Sequence, residues 1–341
     1  MQRGKKKKYM GIREIADIAG VSIATVSRVL NMPEVTSART REKVMDVIKK
    51  YDYVPNQAAK DLFAGVSNSI AIFIYDMSNP LYISIIQHLN RIAFENNYML
   101  IICDAENSYE RETKYYNYCK SIRTLGIVYT AGSTRDDIVL GNNKNTTTSI
   151  PIVLFDRSGF QDGDYYMVRS DHRKGMSLLV DYLYKLNHRK IGYITGNLSV
   201  LSACERYESF VSSMKGHELE IPPHYIKEGG FFVENGMEAF DYFYSMPDAP
   251  TAVIAANDLC ARGFIMRANA LGVKIPEEFS VCGYNGIDLD TFYPMITSIR
   301  QDTKLIAETM FRLIVNSSET PPPREVLTDI TLVAGDTCRK I

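Results

Sequence analysis

From residue 67 onward, short apolar runs alternate with amphipathic stretches. "SIAIFIYD", "YMLIICDA", "GIVYT", "PIVLFD", "KIGYITG", "TAVIAAN" and "FSVCGYN" are separated by segments such as "YISIIQHLNRIAFENN", "MSLLVDYLYKLNH" and "LCARGFIMRANALG". The runs read as strands buried on both faces, and the stretches between them as helices. This alternation leaves few solutions, because parallel strands need a crossover that reaches back along the sheet, and a helix supplies it while covering one face. At 341 residues the chain is too long for one ordinary core, and 67–341 suits two parallel-sheet lobes. Ligands in such sheets bind beyond the carboxyl ends of the strands. Asp156 ends "PIVLFD", Asn257 and Asp258 end "TAVIAAND", and Asn285 ends "VCGYN". Each also has a local reading as a turn or cap, which Asp and Asn favour. Arg157 either favours a phosphate or carboxylate ligand or pairs with Asp156.

The first 66 residues are of another kind. In "IREIADIAGVSIATVSRVLN" the residues Ile12, Ile15, Ala16 and Ala19 make one helical stripe. Gly20 suits a helix exit, and Ser22 can cap a second helix whose inward stripe is Val26, Val29 and Leu30. A third helix follows "VTSART", capped by Ser37, with Val44, Val47, Ile48 and Tyr51 as its stripe. Three short helices with a tight corner after the first predict a helix-turn-helix bundle. The second helix then turns outward Ile23, Ala24, Ser27, Arg28 and Asn31. Short side chains let its backbone settle deep in a duplex major groove. Arg28 can grip a guanine edge, and Ser22, Thr25 and Ser27 can hold phosphates.

Charge is distributed to match. Residues 1–60 carry 13 Lys and Arg against 6 Asp and Glu, leaving 26 against 34 for the remainder of a chain whose totals are 39 and 40. A basic head on an acidic body suggests a polyanionic partner for the head. The six cysteines are scattered without a CxxC pair, the five histidines form no metal motif, and no stretch approaches ~20 apolar residues. These features predict no metal or cofactor, no membrane span and a cytoplasmic place. The doubly wound pattern alone would also suit an enzyme. Yet no GxGxxG, Walker loop or GxSxG elbow occurs.

"IADIAGVSIATVSRVLN", "TREKVMDVIKKYDYVPN" and "AAKDL" together resemble the DNA-binding head and hinge of the lactose-repressor (LacI/GalR) family, nearly unbroken from Ile12 to Leu62. The resemblance implies a helix-turn-helix head (1–54), a hinge (55–66) and an effector-binding, dimerising body (67–341). The body is then periplasmic-binding-protein-like, of two doubly wound lobes, 67–169 with 300–328 and 170–299 with 329–341. Chain crossings are implied near Arg169, Arg300 and Asp329. Ile23 and Ala24 are implied to discriminate bases with Arg28, and Asn56, Ala59 and Lys60 to belong to a hinge helix formed on DNA. Leu62 is implied as the minor-groove wedge that bends the duplex. The sequence departs from the family at Gly11, where a Ser or Thr cap is usual, at Lys60 in place of an arginine, and at Asp61. The basic lead "RGKKKK" either adds salt-sensitive affinity or serves as a solubilising tail.

In the body the same resemblance matches Asp156, Arg206, Phe231, Asn257, Asn285 and Gln301 to positions by which sugar-responsive members hold their inducer. Leu81 and Tyr82 would line the near lobe, and Ser202 would offer a hydroxyl. Carboxylates and amides suit hydroxyls, Arg206 supplies a fork, and an aromatic face covers a sugar ring. Ser209 stands where the family's Arg-x-x-Gly-Phe has glycine, and Asn285 where sugar-binding members often have Asp. The implied protein is a homodimeric transcriptional regulator, most simply a repressor, of a near-palindromic duplex operator under a small sugar-like effector. The alternatives are a regulator that uses a phosphocarrier protein as corepressor, and an α/β enzyme bearing a DNA-binding head.

Overall fold

The computed structural model describes residues 10–55, 65, 67–106, 108–130, 150–157, 165–287, 291, 293–316 and 323–341. The hinge residues Asn56, Ala59, Lys60 and Leu62 and the lysine run 5–8 lie outside them. The chain divides after Gly65 into two compact units.

The first unit holds α1 (Ile12–Ala19), α2 (Ile23–Asn31) and α3 (Ala38–Lys50). At the start of α1, Gly11 has no side chain to cap with, and the Glu14 carboxylate accepts the Gly11 N–H at 2.8 Å instead. Gly20 leaves α1 in the left-handed region (φ +59°), which lets the Val21 N–H return to the Ala16 carbonyl at 3.0 Å. Ser22 and Ser37 accept the N–H groups of Thr25 and Thr40 at 3.1 and 3.2 Å, so both predicted caps form. Ile15, Ala16, Ala19, Val26, Val29 and Val44 make the core. The residue that closes it is Tyr53, not the expected Tyr51. The α-helix stops at Lys50, the chain reverses through Asp52 (φ +48°), and the Tyr53 N–H bonds back to the Ile48 carbonyl at 3.0 Å, folding its ring inward while Tyr51 stays exposed.

The second unit carries two six-stranded sheets. In the first, β1 (Ser67–Ile74), β2 (Met99–Asp104), β3 (Thr124–Tyr129), β4 (Ile152–Phe155), β5 (Tyr166–Ser170) and β11 (Glu325–Thr328) lie in the order β11-β5-β4-β3-β1-β2, all parallel. In the second, β6 (Ile191–Ile194), β7 (Ile226–Lys227), β8 (Ala252–Ile254), β9 (Ser280–Asn285), β10 (Thr297–Gln301) and β12 (Ile330–Val333) lie in the order β12-β10-β9-β8-β6-β7, with only β12 antiparallel to its neighbour. Helices α4 (Pro80–Glu95) and α10 (Thr303–Val315) cover one face of the first sheet and α5 (Tyr109–Ser121) the other. Helices α6 (His172–Lys185) and α7 (Leu201–Gly216) cover one face of the second, α8 (Val233–Tyr244) and α9 (Asp258–Ala270) the other. Both faces of the inner strands β1, β3, β4, β6, β8 and β9 are buried, which is why they read as unbroken apolar runs.

Three segments join the lobes, each turning on an aspartate. Asp171 lies between β5 and α6, Asp302 between β10 and α10, and Asp329 between β11 and β12. Asp171 and Asp302 cap the helices that follow, accepting from Lys174 and Leu305 N–H at 2.9 Å each. Where α8 meets α9, a Cβ on Gly236 would stand 1.9 Å from the Cys260 carbonyl oxygen and one on Gly263 1.9 Å from that of Val233. The two helices therefore touch backbone to backbone.

Candidate functional site

On the head, the face of α2 left out of the core carries Ser22, Ile23, Ala24, Arg28 and Asn31, all exposed, with Thr25 and Ser27 half-buried. Ile23 is 41% exposed although apolar. Small polar groups are locally tied: Ser22 and Thr25 share a hydrogen bond at 2.9 Å, and Asn31 Nδ2 donates to Ser27 Oγ at 3.3 Å. Arg28 is exposed, and among the described residues no carboxylate pairs with it.

In the body, the strand ends of the two sheets enclose a hollow lined by Tyr75, Asp76, Asn79, Leu81, Tyr82, Asp156, His172, Val200, Ser202, Arg206, Phe231, Asn285 and Gln301, with a cavity of about 30 Å³. Asp156 leaves β4 with φ +46° and Asn285 ends β9 with φ +102°. Left-handed backbone at two non-glycine residues facing one hollow is strain that the surrounding sheets must hold. Asp156 is held on both oxygens, accepting the Ser170 N–H at 3.0 Å and meeting His172 Nε2 at 3.1 Å. His172 Nδ1 lies 3.0 Å from the Tyr284 hydroxyl. A carboxylate only accepts, so an imidazole protonated on Nε2 satisfies both partners. Burial keeps the Tyr284 phenol far above its ordinary pKa against the pull of Arg206, and burial with the Asp156 charge does the same for Tyr82. Both hydroxyls remain neutral donors.

A second chain of bonds runs from Ser170 Oγ to Gln301 Oε1 at 2.5 Å and from Gln301 Nε2 to Asn285 Oδ1 at 2.9 Å. It ties the end of β5 in one sheet to the ends of β9 and β10 in the other. Arg206 is 5% exposed; its Nε donates to the Ser202 carbonyl at 3.0 Å and a terminal nitrogen to the Ala256 carbonyl at 2.7 Å. Its guanidinium lies 4.7 Å from the Tyr284 ring centre and 5.6 Å from that of Phe231. Aromatic rings thus shelter a cation that lines the hollow.

Eight of the side chains singled out in the sequence meet here: Leu81, Tyr82, Asp156, Ser202, Arg206, Phe231, Asn285 and Gln301. Three do not line the hollow. Arg157 pairs with neither Asp156 nor open space; it turns to Glu112 on α5 at 3.2 Å and lies over the Tyr129 ring. Asn257 caps α9, accepting the Cys260 N–H at 2.8 Å and donating to the Phe231 carbonyl at 2.8 Å. Asp258 accepts from the Gly286 and Ile287 N–H groups and the Ser298 hydroxyl, bracing β9 and β10 against α9. Sequence reading missed His172, Tyr75, Asp76, Asn79 and Val200. Asn79 had a signal, a cap residue directly before the Pro80 that opens α4. His172 had only its place beside a capping aspartate.

Known proteins resemble this arrangement. Residues 11–56 match the model for bacterial regulatory proteins of the lacI family, and residues 180–338 that for the periplasmic binding protein-like domain. The HTH-type transcriptional repressor PurR of Pasteurella multocida (strain Pm70) is 31% identical over 320 residues, covering 93% of this chain and 94% of its own. That of Haemophilus influenzae (strain PittEE) is 31% identical over 293 residues, covering 85% of each. A crystal structure of the lac repressor dimer bound to operator and the anti-inducer ONPF superposes with a TM-score of 0.85 at 24% identity, covering 97% of this chain and 100% of that one. At that identity the last likeness is one of fold.

Proposed function

This chain belongs to the lacI family of bacterial regulatory proteins, and on that footing we propose that it is a transcriptional repressor whose hold on operator DNA is set by a small polar molecule bound in the hollow between its two sheets. Membership of a family of regulators sets aside the enzyme reading. One observation carries the proposal: the outward face of α2, with Ile23, Ala24 and an unpaired Arg28, is exposed on a head whose core closes without it. A helix so dressed fits a major groove, where Arg28 takes a base edge while Ser22, Thr25, Ser27 and Asn31 hold phosphates. The hinge residues Asn56, Ala59, Lys60 and Leu62 complete the grip in the minor groove. The protein acts where the DNA is, in the cytoplasm.

Two copies read the two halves of a near-palindromic site. Phe94 in the last turn of α4 and Met99 and Ile102 on the edge strand β2 are 75%, 67% and 48% exposed, apolar groups that a second copy would cover. In the hollow, Tyr82, Asp156, Ser202, Arg206, Asn285 and Gln301 offer hydroxyl, carboxylate, guanidinium and amide groups, and Leu81 and Phe231 offer apolar cover, to a sugar or sugar derivative. Such a ligand alters operator affinity only by as much as it prefers one lobe arrangement to the other.

Gel shifts with the full chain across a library of inverted-repeat duplexes test the operator half. Thermal-shift screening of the same protein against sugars, sugar phosphates and nucleosides tests the effector half, because a bound ligand raises the apparent Tm by mass action. No preferred duplex at moderate salt, with or without a stabilising ligand, would overturn the reading.

A further inference from the structure

Outside the hollow, the C-terminal tail and the strand beneath it bring two thiols together. Cys282, fully buried in β9, and Cys338, half-buried on the tail, place their Sγ atoms 3.5 Å apart. The tail is strapped down by hydrogen bonds: Thr337 Oγ1 donates to the Val281 carbonyl at 2.6 Å, the Val281 N–H returns to the Thr337 carbonyl at 2.8 Å, and the Arg339 N–H donates to Ser280 Oγ at 3.1 Å.

The other thiols are placed differently. Cys103 on β2 and Cys119 on α5 hydrogen-bond each other, but both are buried. Cys260 is buried. Cys204 is half-exposed, yet its pKa is pushed up by burial and by Glu208, whose carboxylate lies 3.7 Å from its sulfur. Burial also opposes ionisation of Cys338, but hydrogen bonds involving Cys282, Thr297 and Thr337 outweigh it and hold this thiol below its ordinary pKa. Cys338 is thus the less enclosed thiol of the pair, half-buried where Cys282 is fully buried.

We propose that Cys282 and Cys338 form a reversible thiol–disulfide site, oxidised by a hydroperoxide that reaches Cys338. The Cys338 thiolate attacks the peroxide; the O–O bond breaks, one oxygen stays on sulfur as the sulfenic acid, and the other leaves as water or an alcohol. Cys282 Sγ then displaces the hydroxyl from Cys338, its proton leaving in a second water. Two thiols give up two electrons and the peroxide takes them. Forming the bond closes the sulfur–sulfur gap from 3.5 Å to about 2 Å. The bond pins the tail to β9 and closes a loop from 282 to 338, so the oxidised form resists unfolding better than the reduced one. This site is independent of the operator and effector reading.

The test uses the full chain, reduced or exposed to hydrogen peroxide, then denatured and alkylated. Oxidation should remove two of the six free thiols, yield a cross-linked peptide pair holding Cys282 and Cys338, and raise the Tm by on the order of 5 °C. Dithiothreitol should reverse all three. Cys338→Ser, and independently Cys282→Ala, should keep operator binding and lose the Tm rise. Six thiols surviving, a bridge through other cysteines, or a bridged form that melts no higher than the reduced one would overturn the proposal.

Discussion

Asp258 carries the clearest consequence at the scale of a single residue. It accepts three hydrogen bonds, but burial outweighs them and lifts its pKa from 3.8 to about 7. The folded protein therefore keeps a proton that the unfolded chain releases. Stability from this group is full below pH 3.8, falls as pH rises, and is gone above about 7. The total is on the order of a few kcal/mol. Asp258→Asn should flatten the fall in urea midpoint between about pH 4 and 7; an unchanged slope would place the titration elsewhere. On α2, Arg28→Ala should weaken operator binding roughly ten- to hundred-fold and relax preference at one base pair, as fluorescence anisotropy with matched and mismatched duplexes would read. Equal loss on every duplex would make Arg28 a phosphate contact. Legibility at this scale follows local rules. Asp156 and Asn285 stand out because they end strands, whereas Gln301 is reached only through the family resemblance, and Asn257 and Asp258, also at a strand end, turn to capping and bracing instead. Arg157 could not be resolved, because its partner Glu112 is 45 residues away and nothing local links them.

Between elements, contacts remote in sequence decide the geometry. Caps such as Ser22 and Ser37 act within three residues and were readable. The exchange of Tyr51 for Tyr53 depends on where α3 stops and on the left-handed turn at Asp52, which helical periodicity does not register. The meeting of α8 with α9 is a plainer case. Gly236 and Gly263 look like poor helix formers, yet each leaves room for a backbone carbonyl of the other helix. Gly263→Ala should gain the intrinsic preference of alanine for a helix, under ~1 kcal/mol, and lose more than that. Its Cβ meets the Val233 carbonyl oxygen at 1.9 Å, and neither partner is a movable side chain. A net loss of about 3 kcal/mol or more is expected by denaturant melting; a stabilised variant would mean the helices part at little cost.

For the whole body, the alternation of strand and helix was enough to give two doubly wound sheets, because that pattern has few solutions. Which side chains would turn toward each other across the two sheets was not readable, since the opposed residues come from distant segments. The cavity of about 30 Å³ has room for roughly one or two waters, so a sugar-sized ligand enters only after the lobes part. Stopped-flow binding should therefore give an observed rate that saturates with ligand concentration; a rate rising linearly throughout would mean the hollow already stands open. How the lobes part follows from the three aspartate crossings. They lie side by side: β5 pairs with β11, β10 pairs with β12, and Ser170 bonds Gln301 between them. Two rigid plates stitched along a single seam can swing but cannot slide, so the jaws have one angular coordinate. Whatever rests between them is felt by the rest of the body as a change in that one angle.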